Sequence, residues 1–245
     1  MAVRFNALGD KLTRTSGLPN GRSFTVCFWA RREGNGAEAY ENPWVNDGGA
    51  TDATSLEIDT GWTEVYAYPG YGGNPRELLG SVPTTNAWYF YYLIANSTGT
   101  VNADCLPVTE VVGAGHTSGG TNRTFAPIVM ELGQYTRYSQ NFAGSIAAFK
   151  WWPSVLTPAE IAQERWVYRP VKSGATLWAP LIVNSKDYSG NGNDWTEGGT
   201  LTWEDGPPIG WGASPLIVGG AGGGDVFVPP PYLPGLGFSA QQRMG

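Results

Sequence analysis

Residues 23–33, SFTVCFWARRE, alternate well. Phe24, Val26, Phe28 and Ala30 fall on one face, and Thr25, Cys27, Trp29 and Arg31 on the other, so the stretch predicts a β-strand. A polar, glycine-rich stretch from Glu33 to Asp52 interrupts the pattern before SLEIDTGWTEVYAY (55–68), which again reads as a strand. NAWYFYYLIANSTGTVNA (86–103) predicts two strands around the turn NSTG, and APIVMELGQY (126–135) and AGSIAAFKWWP (143–153) continue the β pattern. Further on, ATLWAPLIV (175–183) and TEGGTLTWE (196–204) flank the turn NSKDYSGNGND.

One short helix is predicted near 157–168. Thr157 suits the N-cap, Pro158 the first helical position and Glu160 the third, so hydroxyl and carboxylate can each satisfy an orphan amide of the other residue. Leu156 and Ile161 stand where a hydrophobic staple would close across that turn, and Pro170 stops the helix.

From Leu216 the pattern dissolves. Residues 216–245 hold eight glycines and four prolines, and only Asp225 and Arg243 are charged. Such a segment forms no regular element alone, yet Val226, Phe227, Tyr232, Leu233, Leu236 and Phe238 are too apolar for a solvated linker. Two parts are therefore expected: a domain over 1–215 and an extended arm over 216–245 that lodges on a partner.

Composition agrees with many short strands. Of 245 residues, 35 are Gly and 18 Pro, which favours turns over helices, while 41% hydrophobic residues and 11 Trp suffice for a core. No 20–50-residue period repeats, which excludes solenoids and propellers. The net charge of −6 and the lack of a Lys/Arg stripe argue against nucleic acid as a partner. No apolar run is long enough to span a bilayer, so no membrane partner is expected. The opening MAVRFNALGD has no basic stretch followed by an apolar one, so no secretory signal is expected. Cys27 and Cys105 are the only cysteines; two free thiols or one disulfide are both open.

FAGSIAAFKWWPSVLTPAEIAQE (142–164) resembles the closing signature of laminin-G-like jelly rolls in the concanavalin A-like lectin/glucanase superfamily, with Phe142, Gly144, Ile146, Phe149, Leu156, Glu160 and Ile161 in its places. Residues 86–103, with Trp88, are similar to that family's strand opening on tryptophan. VRFNALGDKLTR with SFTVCFWARRE is similar to its first hairpin, and LWAPLIVNSKDYSGNGNDWT to its last strand and loop. Four motifs in order, over about residues 1–205, imply an all-β, two-sheet antiparallel jelly-roll sandwich.

That superfamily holds enzymes and binders, so function must come from sites. Its glucanases carry a strand motif resembling Glu-x-Asp-x-Glu. Here Glu57 and Asp59 share a strand face, but Gly61 and Trp62 stand where the third acid belongs. In one continuous strand Glu64 falls on the opposite face unless a bulge intervenes. His116 is the sole histidine, without a nucleophile motif beside it. No enzyme and no catalytic residue are expected. Asp187, Ser189 and Asn191, with Gly192, imitate half of a calcium loop, but Gly198 replaces the closing Glu; turn chemistry and a calcium site both fit. Trp62, Tyr66, Tyr68 and Tyr71 offer rings for stacking on a sugar or for plain packing.

Two functions follow as expectations. One is a bacteriophage virion structural protein, a capsid decoration or accessory protein made in the host cytoplasm, docking through the arm on other virion proteins or copies of itself. The alternative is a carbohydrate-binding module or adhesin that recognises surface glycans.

Overall fold

A computed structural model describes residues 1–18, 21, 23–34, 40–48, 53–59, 64–68, 77–81, 83–96, 101–113, 115–118 and 127–212. Two antiparallel sheets face each other. From edge to edge the first runs His116–Ser118 (β10), Val101–Pro107 (β9), Trp88–Ala95 (β8), Phe24–Arg32 (β3), Gly144–Trp152 (β14), Ala2–Phe5 (β1) and Thr202–Glu204 (β17), with Leu177–Ala179 (β15) also on β14. The second runs Thr196–Gly198 (β16), Lys11–Arg14 (β2), Val129–Leu132 (β11), Tyr40–Asp47 (β4), Thr54–Asp59 (β5), Glu64–Tyr68 (β6) and Glu77–Ser81 (β7). A small ribbon pairs Gln134–Tyr135 (β12) with Gln140–Asn141 (β13). This is the expected two-sheet sandwich.

The main core lies between the sheets. Phe24, Val26 and Phe28 from β3 meet Trp44, Leu56, Ile58, Val65 and Leu132 from the second sheet. Phe24 stacks on Trp151 at 4.3 Å between ring centroids, and Trp44 tilts against Trp151 at 5.8 Å. A second core covers the other face of the first sheet. There Cys27, Trp29, Phe90 and Trp152 pack under Leu156, Ile161 and Tyr168, which is why both faces of β3 are apolar in the sequence.

The helix α1 spans Pro158–Glu164 and starts as expected, with Thr157 and Glu160 closing a reciprocal capping box. It ends earlier than Pro170. The following residues are taken by other partners: Tyr168 and Arg169 donate their amides to the carbonyls of Gly210 and Trp211. Lys150 pins the junction, its Nζ donating to Glu164 O, Glu164 Oε2 and Val167 O at 2.6–2.9 Å.

Four local readings are corrected. The stretch 55–68 is two strands, β5 and β6, not one. The polar stretch after Glu33 contains β4, whose Trp44 is fully buried. The segment resembling a first hairpin sends β1 to the first sheet and β2 to the second, and residues 196–204 split likewise into β16 and β17. Gly144 of the family signature is a close-approach position, since a Cβ there would strike the Arg31 carbonyl. The chain divides after Gly212, and residues 213–245, with all six expected arm residues, lie outside the described residues.

Candidate functional site

The second sheet's outer face collects the carboxylates singled out in the sequence. Because β5 and β6 form a hairpin, Asp59 pairs with Glu64 and Glu57 with Tyr66 across the strands, all pointing away from the main core. Glu64 therefore shares a face with Glu57 and Asp59, contrary to the single-strand reading. Two of the three acids are nonetheless buried, Glu57 and Asp59 being 3% and 1% exposed, while Glu64 is half-buried. A retaining glycosidase needs two carboxyls flanking a bond of a bound polysaccharide, and groups this buried cannot meet one from solvent. Tyr66, one of the four expected sugar-stacking residues, is also buried and donates its hydroxyl to Glu64, so it packs in this state. Trp62 and Tyr71 lie outside the described residues, as does the Tyr68 side chain.

Asp187, Ser189 and Asn191 are brought together in one tight loop. The Asp187 carboxylate accepts from the amides of Trp178, Ser189 and Asn193 at 2.9–3.0 Å and from Ser189 Oγ at 2.7 Å. The side-chain amides of Asn191 and Asn193 both donate to the Thr176 carbonyl at 3.0–3.1 Å. These bonds are those of a closed turn. Nearby, buried Arg14 sits 5.7 Å over the Trp195 ring and feels the charges of Asp187 and Asp194. Among the described residues no group of three or more His, Cys, Asp and Glu side chains could hold a metal ion.

A third place had no sequence signal as a site. Where the two sheets meet at one edge, β7 lies against β9 and β10. Between them opens a cleft of about 310 Å³, lined by Leu79, Gly80 and Ser81 from the second sheet and Tyr89, Asp104, Cys105, Pro107, Glu110 and His116 from the first. Register explains the gathering. Tyr89 pairs with Pro107, and His116 with Ala103 of the main core, which sets Tyr89, Cys105 and His116 along the inward-facing rows. Gly115, at φ +68°, begins this last turn into β10; a Cβ there would run into Asn102 and Tyr92.

The cleft carries the polar side chains of Ser81, Tyr89, Glu110 and His116, whereas Asp104, paired with Tyr92, lies on the other face of β9, within reach of the Arg165 charge. Asp104 Oδ1 accepts the Cys105 amide at 2.8 Å. Burial pushes the Asp104 carboxyl above its usual range, with Glu110 adding to the shift and the Cys105 amide, His116 and Arg165 opposing it. The Tyr89 hydroxyl bonds to Thr84 at its far end, leaving the ring along the cleft. Cys105 is a free thiol whose pKa burial raises strongly, so it is no nucleophile; Cys27 is also free and belongs to the second core. His116, set aside as isolated in the sequence, thus has a carboxylate, a phenol and a thiol as neighbours. Only the pairing of β9 with β10 reveals this.

The family model described as the concanavalin A-like lectin/glucanases superfamily, Laminin_G_3, matches residues 8–162. No curated protein matches the chain. Among solved structures, a candidate carbohydrate binding protein from Bacteroides ovatus is similar with a TM-score of 0.61 at 16% identity. The match covers 86% of this chain and 61% of that one, so this chain spans about three fifths of that protein's length. The heptameric SAP-like pentraxin from Limulus polyphemus is similar with a TM-score of 0.56 at 13% identity, over 82% of this chain and 93% of that one. At such identities the likeness is one of fold.

Proposed function

Since the chain belongs to the concanavalin A-like lectin/glucanases superfamily, we propose that it is a non-enzymatic glycan-binding domain whose ligand enters the cleft between β7 and β8–β10. The observation that carries this reading is the set of groups converging there: Ser81, Tyr89, Glu110 and His116 around about 310 Å³. Sugar rings present hydroxyl pairs that carboxylates and an imidazole can hold by hydrogen bonds, and C–H faces that an aromatic ring can cover. A cleft of this volume sits at the small end of ligand sites, which span roughly 300–1,000 Å³. It suits a sugar unit or a chain end rather than a long polysaccharide groove.

A glycan array with the intact chain tests the reading. Binding by the wild type, and its loss in Tyr89→Ala with an unchanged melting temperature, is the expected result. No binding to any glycan, or binding unaffected by Tyr89→Ala, counts against it.

A second reading, a virion component docking through residues 216–245, is supported by the apolar Gly/Pro-rich composition of that segment. Deleting 216–245 is then expected to leave the domain folded and to abolish incorporation into particles; unchanged incorporation sinks the idea.

A further inference from the structure

We propose that Arg165 is a positioning residue of the cleft: from the other face of the first sheet it fixes the turn at residues 107–110, which forms one wall of the site. The consequence for binding rests on the glycan reading above; the positioning itself does not.

Pro107 and Glu110 both line the cleft, and the turn between them closes through the Glu110 amide, which donates to the Pro107 carbonyl at 3.1 Å. A turn held by so few bonds opens locally at little cost. The Arg165 guanidinium adds two more. Its Nη1 donates to the Glu110 carbonyl and its Nη2 to the Pro107 carbonyl, one at each end of the turn. Because the guanidinium is a rigid planar fork, it sets both ends at once.

Arg165 can act as a fixed point because it is held on every side. Its amide donates to the Ile161 carbonyl at 3.0 Å, just past α1, and its carbonyl accepts from Trp29 Nε1 at 2.7 Å. The guanidinium lies against the Trp29, Phe90 and Trp166 rings at 4.8–5.8 Å, and the residue is 1% exposed. Burial lowers its pKa to about 10, with the Glu110 and Asp104 charges opposing, so it stays a cation at neutral pH. An apolar side chain of similar volume would fill the second core without burying a charge, but it would hold neither carbonyl. The cation therefore serves the wall rather than the core. A wall already in place leaves less of the chain to be ordered when a ligand arrives.

The test compares the full-length wild type with Arg165→Met and with Thr157→Ala, which destabilises the same helix without touching the turn. Amide exchange at Glu110, followed by NMR, is expected to speed about three- to tenfold in Arg165→Met, the worth of roughly one hydrogen bond. In Thr157→Ala it is expected to stay as in the wild type, since a local opening does not follow global stability. Calorimetric titration with the tightest-binding glycan of the array is expected to show about the same factor lost in Arg165→Met alone, the worth of ordering one side chain. Should Arg165→Met not fold, Arg165→Lys, which keeps the charge but loses the fork, is read in the same two ways. Unchanged Glu110 exchange overturns the proposal, as does equal acceleration in Thr157→Ala. Faster exchange with unchanged affinity upholds the positioning and overturns its link to binding. A blank array fells the glycan reading, and the exchange rates still decide the role of Arg165.

Discussion

Burial works against the ionised form of Asp104, so its folded pKa lies above its unfolded one. The stability this group contributes is therefore fully present below the unfolded pKa and is lost as pH rises through the folded value. At neutral pH burial of the ionised carboxylate therefore works against folding. Asp104→Asn is expected to raise the melting temperature at pH 7 and to flatten its rise on acidification. A lower melting temperature at pH 7 would show that the carboxylate has a stabilising partner. Lys150 and Glu164 behave oppositely: both are buried and every polar atom of the pair is bonded. Lys150→Met strands a buried carboxylate and is expected to cost about 3–5 kcal/mol in denaturant unfolding. Adding Glu164→Gln removes that charge and should restore more than half; a further loss in the double variant would contradict the charge argument.

At the scale of elements, the sequence is legible where the signal is local. Strand β3 follows its alternation, β8 and β9 form where the sequence places two strands, and α1 begins where Thr157, Pro158 and Glu160 place it. Thr157→Ala is expected to cost about 1 kcal/mol, read as a shift of the unfolding midpoint without a change in slope. The misread elements share one cause, tertiary partners that pattern does not encode. Strand β4 looks like a loop because Glu41, Asn42 and Asp47 are polar. In the fold Arg32, Gln140 and Arg137 bond to them at 3.1, 2.8 and 3.0 Å, so they can be buried. Residues 55–68 read as one strand because polar positions alternate with apolar ones in both β5 and β6, which hides the break between them. Helix α1 stops short because residues 168 and 169 pair with 210 and 211, far away in the sequence.

For the molecule as a whole, the motif order from residue 1 to about 205 was enough to imply the sandwich, but not the site. Of the catalytic-looking acids, Glu57 and Asp59 are buried, and in the calcium-like loop the Asp187 carboxylate accepts the amides of Ser189 and Asn193. The cleft is built from residues 79–81, 89, 104–105, 107, 110 and 116, drawn from both sheets at one edge of the sandwich. No single stretch could announce it. The claim that ties fold to function is that ligand enters at this edge. Amide chemical-shift mapping of the isotopically labelled full chain, titrated with a binding glycan, tests it most directly. Shifts concentrated at Leu79–Ser81, Tyr89, Asp104–Pro107 and His116 are expected. Shifts concentrated instead on the outer face of β5 and β6, around Glu57 and Tyr66, would contradict it.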